Sequence, residues 1–74
     1  MTFEKVRDML VEKLGLSADS IKPESEIIKD LGADSLDLVE MLLSLEETFN
    51  IEVSDEETES IVTVQDIVNL IDKN

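Results

Sequence analysis

The chain has 74 residues, with 19 acidic and six basic side chains, no histidine and no cysteine. A chain of this length predicts one small domain over residues 1–74, and the lack of cysteine excludes a disulfide framework or a thiolate zinc site. The lack of histidine removes the usual general base of a nucleophilic enzyme.

The acidic residues are concentrated in the second part of the chain. Residues 1–29 carry six acids and five bases, whereas residues 30–72 carry thirteen acids and no base. This charge repels nucleic acid and anionic membranes and attracts basic protein surfaces. The first residues lack a signal-peptide pattern, and no apolar run approaches the roughly 18 residues of a membrane span. We therefore expect a soluble, cytoplasmic monomer without stable membrane insertion.

The first predicted helix runs from Thr2, as its N-cap, to Leu14, and Gly15 is placed to end it. A loop of roughly twenty residues follows and contains the single proline, Pro23. We expect four apolar side chains to pack this loop against the core: Ile21, Ile27, Ile28 and Leu31.

The second predicted helix begins at Asp34 or Ser35 and ends at Phe49 or Asn50. Its core-facing side chains follow helical spacing: Leu38, Leu42, Leu45 and Phe49. A capping box at Ser54 predicts a short helix over 55–60, and a cap at Thr63 predicts a fourth helix toward Asp72. The sequence predicts an all-α fold, a four-helix bundle with three main helices, one short helix and a long first loop.

The opposite side of the second helix alternates leucine with glutamate: Leu36, Glu40, Leu43 and Glu47, flanked by Asp37 and Val39. A buried face would not tolerate two unpaired carboxylates, and a solvated face would not need two leucines. This pattern favours a contact surface for a partner that supplies Arg or Lys. The alternative is that Leu36 and Leu43 are ordinary exposed leucines.

Ser35, at the head of that face, has three interpretations. It caps the helix, or it is a nucleophile, or it is the attachment point of a phosphodiester. A serine nucleophile would need a histidine base or a Gly-x-Ser-x-Gly elbow. The sequence has neither, so we predict no catalytic residue. An attachment point needs only an exposed hydroxyl, a flexible backbone before it, and a helix N-terminus that tolerates an anion. Gly32 provides the flexible backbone.

The segment from Asp30 to Asp37, Asp-Leu-Gly-Ala-Asp-Ser-Leu-Asp, resembles the attachment motif of acyl carrier proteins. The similarity continues through Phe49 to Thr63-Val64-Gln65 and covers essentially the whole chain, at the length of a free-standing carrier of the fatty-acid-synthase type. The resemblance implies that a separate transferase attaches 4′-phosphopantetheine from coenzyme A to Ser35. The arm's thiol would then hold acyl thioesters for enzymes of fatty-acid biosynthesis, and the chain itself would not be an enzyme.

The resemblance also implies roles for individual residues. Acidic side chains would meet basic patches on the phosphopantetheinyl transferase and on acyl-handling enzymes: Asp34, Asp37, Glu40, Glu47 and Glu56. Leu36 and Leu43 would add apolar contacts. Four side chains would line a pocket for the acyl chain: Leu42, Leu45, Val53 and Ile61. Two positions depart from the family pattern, since Ser54 stands where proline is frequent and the bulky Ile67 leaves the pocket depth open.

Two alternatives remain, and a third is excluded by the spacing of its residues. A polyketide or peptidyl assembly-line carrier usually shows Gly-Gly-x-Ser, where this chain has Gly-Ala-Asp-Ser at residues 32–35, and carries less acid. A calcium loop beginning at Asp30 would need glycine at its sixth position, where Ser35 stands, so we predict no metal site. An acidic helical interaction module would carry no modification at all.

Overall fold

The computed structural model describes residues 2–73, which form four α-helices joined by loops. Helix α1 spans Thr2–Leu14, α2 spans Ser35–Phe49, α3 spans Asp55–Ser60 and α4 spans Val64–Lys73, with one 3₁₀ turn at Ala18–Ser20. The predicted all-α fold is confirmed, and α4 extends one residue past Asp72. Thr2, predicted as a cap, is instead the first helical residue, and its hydroxyl donates to Asp72 Oδ1 at 2.7 Å.

Helices α1 and α2 end where the sequence supplies a residue suited to left-handed backbone. Gly15 has a φ of 67° and donates its N–H to the Val11 carbonyl at 2.9 Å. Asn50 has a φ of 54°, and its N–H bonds to the Glu46 carbonyl. Glycine and asparagine adopt this conformation at low cost and satisfy carbonyls of the last helical turn. The predicted stop at Gly15 is confirmed.

Helix α3 is stabilised by hydrogen bonds at its start and has no buried residue. The Ser54 hydroxyl accepts the Glu57 N–H at 3.1 Å, and the Glu57 carboxylate accepts the Ser54 N–H at 3.1 Å. The backbone bond from Ser54 is the main cause that lowers the pKa of Glu57, and Lys73 Nζ, 3.6 Å from Glu57 Oε2, acts in the same direction. Ser54 therefore starts α3 with a capping box, as predicted.

The core lies between α1, α2, α4 and the first loop. Val6 and Leu10 of α1 and Val64 and Ile67 of α4 are 0% exposed, and α1 packs mainly against α4. The buried set is entirely apolar among residues 2–73: Val6, Leu10, Ile21, Ile27, Leu31, Ala33, Leu38, Met41, Leu42, Leu45, Ile61, Val64, Ile67, Val68 and Leu70. Removal of this apolar surface from water is the main force that stabilises the bundle.

The predicted core residues agree with the structure except at Ile28. On α2 three of the four predicted side chains are buried, and Phe49 is half-buried against the core, with Lys5 Nζ 5.9 Å from its ring centre. Met41, which we did not predict, is buried as well. Ile28 is 49% exposed, so its assignment to the core is wrong. Ile27 and Ile28 are adjacent in a turn, and only the Ile27 side chain reaches the core.

The first loop, residues 15–34, is tied to the start of α4 by backbone hydrogen bonds. The N–H groups of Val64 and Gln65 donate to the carbonyls of Ser25 and Pro23 at 3.0 and 2.8 Å. A single antiparallel bridge pairs Glu26 with Thr63. The first N–H groups of a helix have no partner within the helix, and here the loop provides one. The long loop is therefore a fixed part of the fold.

Candidate functional site

Ser35 is the first residue of α2, and Asp34 is the cap. The Asp34 carboxylate accepts the Asp37 N–H at 2.8 Å, and the Asp37 carboxylate accepts the Asp34 N–H at 3.2 Å. This reciprocal pair fixes the start of the helix with two aspartates. The interpretation of Ser35 as the cap is therefore wrong.

The Ser35 side chain is exposed, and no hydrogen bond within residues 2–73 engages its hydroxyl. A serine nucleophile is activated by a neighbouring base, and the sequence has no histidine to provide one. The hydroxyl also lies at the positive end of a fifteen-residue helix, where an anion is stabilised. An exposed, unbonded hydroxyl in this position fits a phosphodiester attachment.

The side of α2 below Ser35 carries large apolar side chains in contact with solvent. Leu36 is 65%, Val39 44% and Leu43 56% exposed. Glu40 and Glu47 are exposed on the same helix, and Asp37, whose carboxylate takes part in the cap, is half-buried. We call the surface formed by Leu36, Val39, Glu40, Leu43 and Glu47 the α2 face. The structure leaves all five side chains free to meet a partner.

Glu56 and Asp34 are also exposed, at other points of the surface. Asp34 lies at the start of α2 beside Ser35, and Glu56 lies on α3. Residues 30–73 contain a single base, Lys73, which pairs with Glu57. The acidic side chains of the α2 face therefore have no cation from their own part of the chain.

The residues predicted to line an acyl pocket do not share one cavity. Leu42 and Val53 lie together in a cleft of about 150 Å³ between α2 and the start of α3, which Val39, Leu43, Glu46, Asp55 and Thr58 also line. Leu45 is 1% exposed within the core. Ile61 lies at two other cavities, of about 190 and 240 Å³. Three of the cleft residues were not assigned to a pocket from the sequence: Val39, Glu46 and Thr58. The chain at 50–54 sets which residues of α2 face α3, and helical spacing alone does not indicate this.

Stability should depend on ionic strength because of the unbalanced acids. Exposed charges repel over about 10 Å in 0.1 M salt and over longer distances in dilute buffer. We expect the melting temperature to rise by several degrees between about 10 mM and about 300 mM NaCl, and Mg²⁺ to act at lower concentration. Calorimetry would measure the melting temperature at each salt concentration. A variant with Glu40, Glu47 and Glu56 changed to Gln should respond less, and a flat wild-type profile would contradict the expected repulsion.

Two further structural properties concern ligands and membranes. Among residues 2–73, no three acidic side chains come together in an arrangement that would hold a metal ion. None of the helices in the described chain is both long enough and apolar enough to cross a membrane.

Comparison with known proteins identifies the family. The sequence profile described as "Phosphopantetheine attachment site" matches residues 4–71. The chain is 54% identical over 71 residues to the acyl carrier protein of Campylobacter concisus, with 96% of this chain and 92% of the relative covered. It is 55% identical over 71 residues to the acyl carrier protein of Clostridium acetobutylicum, with the same coverage.

The fold leads to the same family. The solved structure of the acyl carrier protein from Enterococcus faecalis superposes with a TM-score of 0.84 at 36% identity, covering 99% of this chain and 92% of the other. The chain therefore belongs to the acyl carrier protein family, whose members hold a covalently attached 4′-phosphopantetheine and act as carriers and not as enzymes.

Proposed function

We propose that the protein carries acyl groups as thioesters on a 4′-phosphopantetheine arm attached to Ser35, and that it presents them to enzymes of fatty-acid biosynthesis. The observation that carries this proposal is the exposed Ser35 hydroxyl, left without a hydrogen bond because Asp34 caps α2. The arm supplies a reactive thiol, which the chain itself lacks because it has no cysteine.

The α2 face, with Asp34, Asp37 and Glu56, is the proposed docking surface for the phosphopantetheinyl transferase and for acyl-handling enzymes. Its exposed leucines suit an apolar contact, and its glutamates suit basic side chains around that contact. Charge complementarity of this kind speeds association and orients the partner. Ser35 lies at the end of this surface, so a docked enzyme would meet the attachment site directly.

The cleft between α2 and α3 is the proposed entrance for a sheltered acyl chain. Leu42 and Val53 lie at this cleft, which holds about 150 Å³. Leu45 and Ile61 would line a deeper pocket only after α3 moves away from α2. The lack of buried side chains in α3 supports such a movement, since few apolar contacts oppose it.

Two features support fatty-acid synthesis over a polyketide or peptidyl assembly line. The attachment motif reads Gly-Ala-Asp-Ser at residues 32–35 in place of Gly-Gly-x-Ser, and the chain carries 19 acids. We also propose that the carrier acts as a cytoplasmic monomer.

The proposal is tested by intact mass after incubation with coenzyme A and a broad-specificity phosphopantetheinyl transferase. The starting protein is first shown to be folded by circular dichroism and unmodified by mass. We expect wild type to gain one phosphopantetheine and Ser35→Ala to gain none. Ser44→Ala makes the same change within α2 at a residue outside the attachment motif, and it should load normally.

Each other outcome has a definite meaning. Loading of Ser35→Ala would place the attachment elsewhere. No gain on folded wild type would leave an acidic helical interaction module without modification. Loaded protein that accepts aminoacyl groups from an assembly-line enzyme, but no malonyl group from a fatty-acid transferase, would contradict the fatty-acid role.

A further inference from the structure

The peptide unit between Val62 and Thr63 is held on both of its edges. On one edge, the Thr63 N–H donates to Asp66 Oδ2 at 3.0 Å. The Val62 N–H, which belongs to the preceding peptide unit, donates to the same oxygen at 2.9 Å. On the other edge, the Val62 carbonyl accepts the Ile27 N–H at 2.9 Å. A peptide unit is planar and rigid, so an anchor on one edge fixes the direction of the other. Asp66 thereby sets where Ile27 is held.

Ile27 continues the connection to the attachment site. Its carbonyl accepts the Ala33 N–H at 3.2 Å, and both side chains are buried, at 1% and 4% exposure. Ala33 is bonded directly to Asp34, the cap of α2, and Ser35 follows. A path of three hydrogen bonds thus leads from the Asp66 carboxylate on α4 to the residue before the cap.

The Asp66 carboxylate does more than complete the start of α4. The Asp66 N–H donates to the Thr63 hydroxyl at 3.2 Å, and the N–H groups of Val64 and Gln65 donate to first-loop carbonyls. These three N–H groups are satisfied without the carboxylate. The carboxylate completes the predicted cap at Thr63 by accepting the Thr63 N–H, and it also accepts the N–H of Val62, one residue before the cap. The same two bonds, Thr63 first, lower the pKa of Asp66.

We infer that Asp66 is a positioning residue for Ser35, acting through Val62, Thr63, Ile27 and Ala33 to fix the serine hydroxyl for attachment of phosphopantetheine. The inference rests on the proposed function. Group transfer is sensitive to the position of the reacting atom, and a displacement of about 1 Å can cost up to a hundredfold in rate. Loss of the carboxylate should therefore lower the rate of loading once the enzyme is docked, while docking through the α2 face continues.

The test compares Asp66→Ala, Asp66→Asn and Asp72→Ala by steady-state loading and by amide hydrogen exchange. In Asp66→Ala we expect kcat to fall about tenfold with KM within about twofold, and the Ile27 and Ala33 amides to exchange at least about tenfold faster. Asp66→Asn keeps an acceptor oxygen and should restore both properties. Asp72→Ala removes another hydrogen-bonded carboxylate of α4, which contacts Thr2, and should change neither.

Any of four results would overturn the inference. In Asp66→Ala these are unchanged exchange at Ile27 and Ala33 or an unchanged kcat. The others are failure of Asp66→Asn to restore both properties and an equal loss in Asp72→Ala. If Asp66→Ala does not fold, wild-type exchange still decides, because the relay requires the Thr63, Ile27 and Ala33 amides to open together with similar protection. Exchange does not depend on loading. A wild type that never loads therefore contradicts the proposed function separately from the hydrogen-bond relay.

Discussion

The double substitution Leu43→Arg with Glu47→Lys should slow phosphopantetheine loading by about tenfold or more, equivalent to about 1.4 kcal/mol of lost interaction with the transferase. It replaces an exposed apolar side chain and an exposed carboxylate of the α2 face with two cations. A basic partner would then meet like charge, which lowers the association rate. The measurement is kcat/KM for loading, with circular dichroism to show that the helix content is retained.

The control is Ala18→Arg with Asp19→Lys, which makes the same change in net charge on the exposed 3₁₀ turn. This variant should load at nearly the wild-type rate, since the 3₁₀ turn lies outside the proposed docking surface and its new cations would not face the bound transferase. Equal slowing of both variants would attribute the effect to net charge. Unchanged kcat/KM in the α2-face variant would contradict the docking surface.

Leu10→Ala should destabilise the fold by about 3 kcal/mol, because Leu10 is 0% exposed and its truncation leaves a cavity between α1 and α4. A 74-residue domain has a total free energy of unfolding of about 4–11 kcal/mol. The loss would lower the melting temperature by roughly 12–24 °C. Thermal unfolding followed by circular dichroism, in moderate salt, would measure this shift.

Leu36→Ala makes the same chemical change on the surface, where the leucine is 65% exposed. Its free energy of unfolding should stay within about 0.5 kcal/mol of wild type. Since Leu36 belongs to the α2 face, the same variant should lose affinity for the transferase. Similar destabilisation by both truncations would show that burial in this bundle does not decide which leucines stabilise it.

The helices could be predicted from the sequence because their signals are local. Apolar side chains at helical spacing define α2 and α4, and single residues such as Gly15 and Ser54 mark helix ends. The error at Ile28 arose because two adjacent isoleucines give no indication of which one faces the core. The anchoring of the first loop to α4 was also missed, since backbone hydrogen bonds leave no side-chain pattern to read.

The exposed face of α2 was predicted more completely than the helix cap and the pocket residues. Helical rotation placed Ser35 at the head of an apolar and acidic face, and the structure leaves that face exposed. The cap was assigned less well, although Asp34 and Asp37 already had the spacing of a capping box. The pocket residues followed from resemblance alone. Leu45 is buried in the core and Ile61 lies at other cavities, and no local pattern in the sequence indicates which of the four predicted residues share the cleft.

The two aspartates that cap α2 leave the Ser35 hydroxyl out of the hydrogen bonds that start the helix. Since neither capping bond involves the Ser35 hydroxyl, attachment of a group to that oxygen removes no native hydrogen bond. Structural zinc domains behave differently, because their folding waits for the metal. If Ser35 carries the arm as proposed, we expect the chain to reach its final conformation before any coenzyme A is used. The transferase would then receive a finished surface, and we expect the amount of folded carrier to follow synthesis of the chain and not the supply of its arm.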